Sequence, residues 1–258
     1  MLPLDRPRRA ALLGPWLAAA LLAPSLAAAP ARAEPPRPAP AARSDAEVEK
    51  RLAFLNDRLM RATPAATRWW YGWYGGWTAL TLIQAGMAFG VSDAGLRKDA
   101  AVGAAFSSLG VLPFGLFSFT PLHAAAALRA LPESTPEARR IKLARAEHLL
   151  EKSAEDETLG RSFLPHAAGG AASLAACLTV VLAYKRPLFS GLFQLLGGVV
   201  LNEAQIFTQP TAAIHDLADY RALDNPSSKP VARPFSPGRS FSFTVVPSPG
   251  GLGIGGSF

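Results

Sequence analysis

Four long stretches of this chain contain almost no charged side chains, and charged connectors separate them. Residues 69–91 and 187–202 hold no Asp, Glu, Lys, Arg or His, and 100–128 and 162–184 hold one histidine each. A helix needs about 20 apolar residues to cross the hydrocarbon core of a bilayer. The pattern therefore predicts an all-α integral membrane protein. Its four transmembrane helices are predicted at about 69–91, 100–122, 163–184 and 187–208.

The N-terminal segment has the pattern of an export signal. A basic start with Arg6, Arg8 and Arg9 precedes an apolar stretch, and Ala31-Arg32-Ala33 forms a small-x-small cleavage site. This order predicts a signal peptide over 1–33. An uncleaved signal anchor is the alternative. In both cases the chain that follows begins outside the cytoplasm.

Polar segments flank the apolar runs. A Pro/Ala tether over 34–43 precedes an amphipathic surface helix over 44–68, in which Ser44 and Glu47 form a capping box. Thr135-Pro136-Glu137 predicts the start of a charged helix over 135–160, whose basic and acidic residues balance. The helical membrane domain is thus expected over 69–223.

The C-terminal part has a different composition. Residues 224–239 form a Pro/Ser-rich linker. Alternating Phe and Val around Ser and Thr, followed by a Pro/Gly turn, predict a β-hairpin tail over 240–258. A two-stranded hairpin is marginally stable by itself, so we expect it to rest on another surface.

The first apolar run opens with a cluster of aromatic residues over 68–77. Trp and Tyr favour the headgroup level of a bilayer, so the cluster predicts the outer end of the first span. A stacking platform for a sugar or nucleotide is the alternative reading of the same cluster.

A weak internal repeat relates the second and fourth runs. A shift of the chain by 88 residues places Gly103 on Gly191 and Gly110 on Gly198, with basic pairs before each run. This indicates two parallel copies of a surface helix followed by a membrane hairpin. Resemblance by composition alone between Gly-rich spans is the alternative.

Composition excludes several classes of function. Cys177 is the single cysteine, so an intrachain disulfide and a cysteine metal cluster are both excluded. The net charge of +7 comes without a nucleic-acid motif, and attraction to the anionic surface of the lipid bilayer explains it better than nucleic acid. We expect no metal and no cofactor, because no metal-ligand spacing or phosphate loop is present.

The export signal and the distribution of charge disagree about topology. The signal places both termini and the 129–161 connector in the periplasm, with the membrane protein in the bacterial inner membrane. Only the loops at Arg97-Lys98 and Lys185-Arg186 then face the cytoplasm, which leaves most Lys and Arg outside, against the positive-inside tendency. We give the export signal more weight, because the long connector is balanced in charge.

The candidate chemistry centres on Glu203, the acidic residue at the end of the fourth run. Ionisable residues at membrane depth are functional candidates, and a proton or cation site is the sharper interpretation. An anchor at the headgroup level is the plainer one. The accompanying candidates are Gln205, Gln209, His215, Asp216, His123 and His166.

One resemblance adds to this picture. The stretch Glu203-Ala204-Gln205-Ile206-Phe207-Thr208-Gln209-Pro210-Thr211, the Trp-Trp-Tyr-Gly-Trp run and the ending from Val245 to Phe258 resemble a family of uncharacterised proteobacterial envelope proteins. The resemblance implies a Gram-negative envelope setting and no particular activity.

The sequence thus predicts a noncatalytic accessory or structural membrane protein that binds a protein partner in the envelope. A small transporter or channel with Glu203 as its proton or cation site is the alternative. An intramembrane enzyme is the third hypothesis.

Overall fold

The computed structural model describes residues 43–224, together with the backbone of 242–248 and 251–257. The predicted signal peptide, nearly all of the tether and most of the Pro/Ser-rich linker lie outside the described residues. Between 43 and 224 every regular element is a helix. The seven α-helices of this part are α1 (Asp45–Gly90), α2 (Ala94–Leu116), α3 (Ala124–Arg129), α4 (Pro136–Gly160), α5 (Phe163–Leu178), α6 (Leu188–Phe207) and α7 (Ala212–Ala222).

Helix α1 joins two segments that the sequence analysis separated. It begins after Ser44, whose hydroxyl accepts a hydrogen bond from the Glu47 amide at 3.3 Å, and runs without a break for 46 residues to Gly90. The predicted boundary between a surface helix and a span at 68/69 lies inside it. Pro64 is tolerated within the helix, although it cannot donate a backbone hydrogen bond. One continuous helix therefore links the polar and apolar parts of the protein.

The hydrophobic core lies under the polar helices. The first half of α1 (45–67) packs with α3, α4 and α7, and we call this group the head. Arg51 is buried there and pairs with Glu47 and with Asp224 after α7, which ties both ends of the described helical chain together. The core residues of the head include Val48, Leu52, Leu55, Leu59, Leu128, Leu143, Leu149, Leu150, Ala213 and Tyr220.

The helices of the four apolar runs form two hairpins next to the head. The second half of α1 (69–90) pairs with α2 in the first hairpin, and α5 pairs with α6 in the second. A π-helical turn at Thr179–Ala183 extends α5. Large apolar side chains on these helices point away from the protein: Phe89 is 90% exposed and Phe193 71%. Burial is thus inverted, since the charged head holds the larger hydrophobic core, whereas the hairpins bury only a small cluster around Val102, Ala176 and Val180 and expose many large apolar side chains.

Glycines allow close packing inside both hairpins. A Cβ at Gly110 would lie 2.5 Å from the Trp77 ring, and one at Gly103 would lie 2.6 Å from Gln84. In the second hairpin, Gly198 receives Ser173 in the same way and Gly191 receives Val181. Both hairpins therefore use two glycines seven residues apart on their second helix for close packing. The repeat itself stays a prediction.

An ion pair joins the connecting loop of the second hairpin to α2 of the first hairpin. The Arg186 guanidinium donates to both carboxylate oxygens of Asp99, at 2.9 and 2.8 Å. Gln194 on α6 donates to the Asp99 carbonyl at 2.9 Å. Such a bidentate contact fixes orientation as well as distance, so the loop of the second hairpin is held against α2.

Within the described residues, two helical stretches are long and apolar enough to cross a membrane. They are Ala94–Leu116 and Pro136–Ala183, and the second draws its apolar character from α5 rather than from the charged α4. The prediction of four transmembrane helices is therefore not supported as made, since only two of the four runs among the described residues qualify by length and composition. The first run is diluted by Trp, Tyr and Gly, and the fourth by Asn202, Glu203 and Gln205. Two apolar helices are consistent with association with a membrane.

The described C-terminal backbone contains two strands. β1 (Ser242–Ser248) runs antiparallel to β2 (Gly251–Ser257), and Val245 is the register partner of Ile254. The side chains of these strands lie outside the described residues.

Candidate functional site: polar contacts between head and hairpins

The predicted site residue Glu203 contacts His166. Its Oε2 atom lies 2.8 Å from His166 Nδ1, and the two side chains are 31% and 29% exposed. His166 belongs to the first turn of α5 and Glu203 to the last part of α6. Because α5 and α6 form a hairpin, the start of one helix lies beside the end of the other.

The packing around the pair explains why these two residues meet. Asn202 donates to the Pro165 carbonyl at 3.3 Å, and its amide fills the space that the missing side chain of Gly169 leaves. The Phe207 ring lies 5.9 Å from the imidazole, centroid to centroid. These contacts fix the register of α5 against α6 at the head end of the hairpin.

An imidazole and a carboxylate at this distance can share one proton. The imidazole is charged only when protonated, and the neutral form can either donate to the carboxylate or accept from a protonated one. Partial exposure gives the pair access to the surroundings of the protein. The geometry therefore suits a proton-binding site at the level where the hairpins meet the head.

The predicted site residue Gln205 binds the tryptophans of α1. Trp77 Nε1 donates to Gln205 Oε1 at 2.5 Å, and Trp69 Nε1 donates to the Gln205 carbonyl at 3.0 Å. Trp73 Nε1 donates to Thr208 Oγ1 at 3.0 Å. The indoles recur every four residues on one face of α1 and join it to the end of α6. Sequence analysis missed this role, although the spacing of four was visible.

The other aromatic rings of this region pack among themselves. Trp70 stacks on Phe119 with ring centroids 5.4 Å apart and planes at 4°. The Phe114 ring contacts Trp70 edge-on, with ring centroids 4.8 Å apart. Trp69 lies 5.5 Å from the same Phe119. These contacts with phenylalanines of the same chain argue against a stacking platform for a sugar or nucleotide.

Gln209 connects the second hairpin to α4. Its Nε2 atom donates to the backbone carbonyl of Glu157 at 3.0 Å, and the backbone carbonyl of Gln209 accepts from Arg161 Nη1 at 3.1 Å. The missing side chain of Gly160 leaves room for the Gln209 amide. This predicted site residue is therefore a buried connector between head and hairpin.

Glu157 is a buried acid that sequence analysis did not single out. Its side chain is 0% exposed, and its Oε2 accepts from the Ile214 amide at 3.1 Å, at the start of α7. Its Oε1 atom has no hydrogen-bond partner among the described residues. Burial raises the pKa of this carboxyl to about 8, the Asp216 charge adds to the increase, and backbone amides of α7 and Arg161 oppose it. Glu157 thus caps α7 from another helix.

The remaining predicted site residues lie apart from the pair. Asp216 is buried in the head, where Arg58 reaches it at 3.1 Å. His215 lines an open cavity of about 480 Å³ together with Thr158 and Arg161. His123 is exposed at the start of α3.

The seven candidates therefore do not form one site. Among them, His166 and Glu203 contact each other, and the others occupy separate contacts. No group of three potential metal-ligating residues occurs among the residues whose positions are described. No protein-family model, curated protein or solved structure matches the chain.

Proposed function

We propose that this protein is a noncatalytic accessory or structural component of a bacterial envelope membrane, in which two helical hairpins anchor a helical head that binds a partner protein. The observation that carries the proposal is the inverted burial. The charged helices of the head enclose the larger hydrophobic core, whereas the hairpin helices enclose a small cluster around Val102, Ala176 and Val180 and expose many large apolar side chains.

The exposed side chains of the hairpins need an apolar environment. Removing one Phe or Leu side chain from water is worth about 1.5–3 kcal/mol. Phe89, Leu116, Phe189 and Phe193 are four of many such exposed residues on the hairpins. Lipid removes this surface from water without a change of fold, which favours a bilayer over solvent around both hairpins.

The dimensions of the hairpins support insertion of all four helices. Helix α2 has 23 residues and α6 has 20, so they extend about 34 and 30 Å at 1.5 Å per residue. The hydrocarbon core of a bilayer is about 30 Å thick. Tryptophans lie at the head end and the basic loops at the other, as interfacial residues should. The proposed location is the inner membrane, with head and termini in the periplasm, as the N-terminal pattern predicts.

Alkaline carbonate washing of membranes tests the anchoring. We expect nearly all of the protein to stay in the membrane pellet, because washing removes peripheral proteins and leaves inserted helices. Release of most of the protein into the supernatant would contradict the proposal. A known peripheral and a known integral protein of the same membranes serve as controls.

The His166–Glu203 pair favours a proton or cation transporter as the second candidate. If the pair carries protons, Glu203→Gln should abolish proton flux into liposomes that contain the purified protein, because the amide keeps size and hydrogen bonding but cannot ionise. Glu155→Gln, at an exposed acid of the head, is the matched control. Equal flux in liposomes with and without wild-type protein would reject the transporter and leave the accessory role.

A further inference from the structure

An open groove lies between α1 and α3 where the head meets the first hairpin. Its volume is about 480 Å³, and its lining is mostly apolar. Met60, Pro64 and Ala125 form its wall. Two arginines, Arg68 of α1 and Arg129 of α3, line the same groove.

Both arginines are available for an anionic ligand. They are exposed, and within residues 43–224 neither forms an ion pair with a carboxylate. The Arg129 Nε atom donates to the Ala125 carbonyl at 3.4 Å, which bends the side chain back over its own helix. Within residues 43–224, its terminal amino groups form no hydrogen bond or ion pair, which leaves them available for a second partner. An arginine presents planar donors that match the oxygens of a phosphate.

The level of the groove matches that of lipid headgroups. Arg68 comes directly before Trp69 and Trp70, the residue type that favours the membrane interface. On the same face of α1, one and two turns further into the hairpin, Gly72 and Gly75 have open space beside them: a Cβ at either position would meet no atom within 4 Å. A chain of methylene groups can lie along this face below the groove.

We propose that this groove binds one anionic phospholipid, with its phosphodiester headgroup on Arg68 and Arg129 and an acyl chain along Gly72 and Gly75. The site rests on the proposed position of the first hairpin in a bilayer. It adds a specific lipid to a protein that is otherwise held by general apolar contact. Charge complementarity selects an anionic headgroup, and the apolar wall selects a lipid over free phosphate.

Native mass spectrometry of the full chain in mild detergent tests this site. The probes are phosphatidylglycerol, phosphatidylcholine and inorganic phosphate. We expect one phosphatidylglycerol to bind more tightly than phosphatidylcholine, and inorganic phosphate not to compete. The double variant Arg68→Gln/Arg129→Gln should weaken binding of phosphatidylglycerol about 25-fold, about fivefold for each arginine. The control Arg139→Gln/Arg145→Gln, with the same loss of charge on α4, should bind like the wild type.

A second variant tests the path of the acyl chain. Gly72→Leu should weaken phosphatidylglycerol binding about fivefold by filling the open face. It should leave the melting temperature of the lipid-free protein unchanged or slightly raised, because the new side chain has no neighbour to displace and leucine favours the helix over glycine.

Four results would overturn the proposal. They are equal affinity for the two lipids, binding by the arginine double variant at the wild-type level, equal weakening in the α4 control, and displacement of lipid by inorganic phosphate. The carbonate wash separates this failure from that of the proposed anchoring. A protein that stays in the pellet but shows no lipid preference loses the site and keeps the anchor.

Discussion

Glu157 should make the stability of the protein depend on pH. Its carboxyl is fully buried against the start of α7, and one of its oxygens has no partner among the described residues. The pKa is about 8 in the folded chain against 4.5 for an ordinary glutamate. In the unfolded chain the group therefore loses its proton near pH 4.5, whereas the folded chain keeps it until about pH 8.

The sign and size of the effect follow from this difference. Below pH 4.5 the carboxyl is protonated in both the folded and the unfolded state, so it adds no pH dependence to the free energy of unfolding. Between pH 4.5 and about 8 the unfolded state gains free energy by ionising, so the free energy of unfolding falls as pH rises. One pKa unit corresponds to about 1.36 kcal/mol, which gives a total loss of about 5 kcal/mol above pH 8.

The variant Glu157→Gln isolates this contribution. The amide oxygen can still accept from Ile214, but the side chain cannot ionise. Thermal unfolding in detergent, followed by circular dichroism from pH 5 to pH 9, measures the difference between variant and wild type. About 4 kcal/mol of the total loss falls between pH 5 and pH 9. At about 2–4 °C per kcal/mol for a chain of this size, the melting temperature of the variant should rise relative to that of the wild type by about 8–16 °C over this range.

The neighbouring acid Glu155 provides the matched control, because it is exposed on the same helix. Glu155→Gln should follow the wild type within about 0.5 kcal/mol at every pH. Parallel melting curves for wild type and Glu157→Gln from pH 5 to pH 9 would refute the buried, protonated state of this carboxyl.

Two further predictions concern the hairpins, and both are measured by thermal unfolding in detergent. Gly110→Ala should destabilise the protein by about 1–3 kcal/mol, because its Cβ would press on the Trp77 ring. The control Gly86→Ala, with open space around it, should be neutral or stabilising by up to about 1 kcal/mol. Equal effects of the two variants would contradict the close packing of Gly110 against Trp77. Asp99→Asn should cost about 1.5–3 kcal/mol by breaking the bidentate contact with Arg186. An unchanged melting temperature would show that other contacts hold this loop against α2.

The pattern of apolar and charged residues located helices, but it did not show where one helix continues into the next segment. The uncharged runs predicted where helices occur, and α4, α6 and α5 with its π-helical turn agree with those predictions within a few residues. Helix α2 does not, because it begins and ends six residues before the predicted span at 100–122. The fusion of the surface helix with the first span in α1 was missed. Arg68 and the aromatic cluster changed the composition at that point without breaking the helix, and composition alone does not show whether a helix ends.

In the candidate site, too, the sequence identified some residues and missed others. Glu203 was identifiable because it is an acid at the end of an apolar run, but its partner His166 lies 37 residues away and meets it only when the hairpin forms. Glu157 was hidden among the balanced charges of α4. Its burial depends on α7, which begins more than 50 residues later, so no local pattern reports it.

The central claim is that the apolar faces of the hairpins lie in lipid while the head lies in water. Single cysteines placed at Phe193 on the second hairpin and at Ala144 on the head, in a Cys177→Ser background, test it directly with a water-soluble maleimide. Both positions are exposed in the structure. In open membrane fragments, with water on both sides, we predict rapid labelling at 144 and none at 193 until detergent or denaturant is added. Labelling of position 193 at the same rate as position 144 would contradict the account.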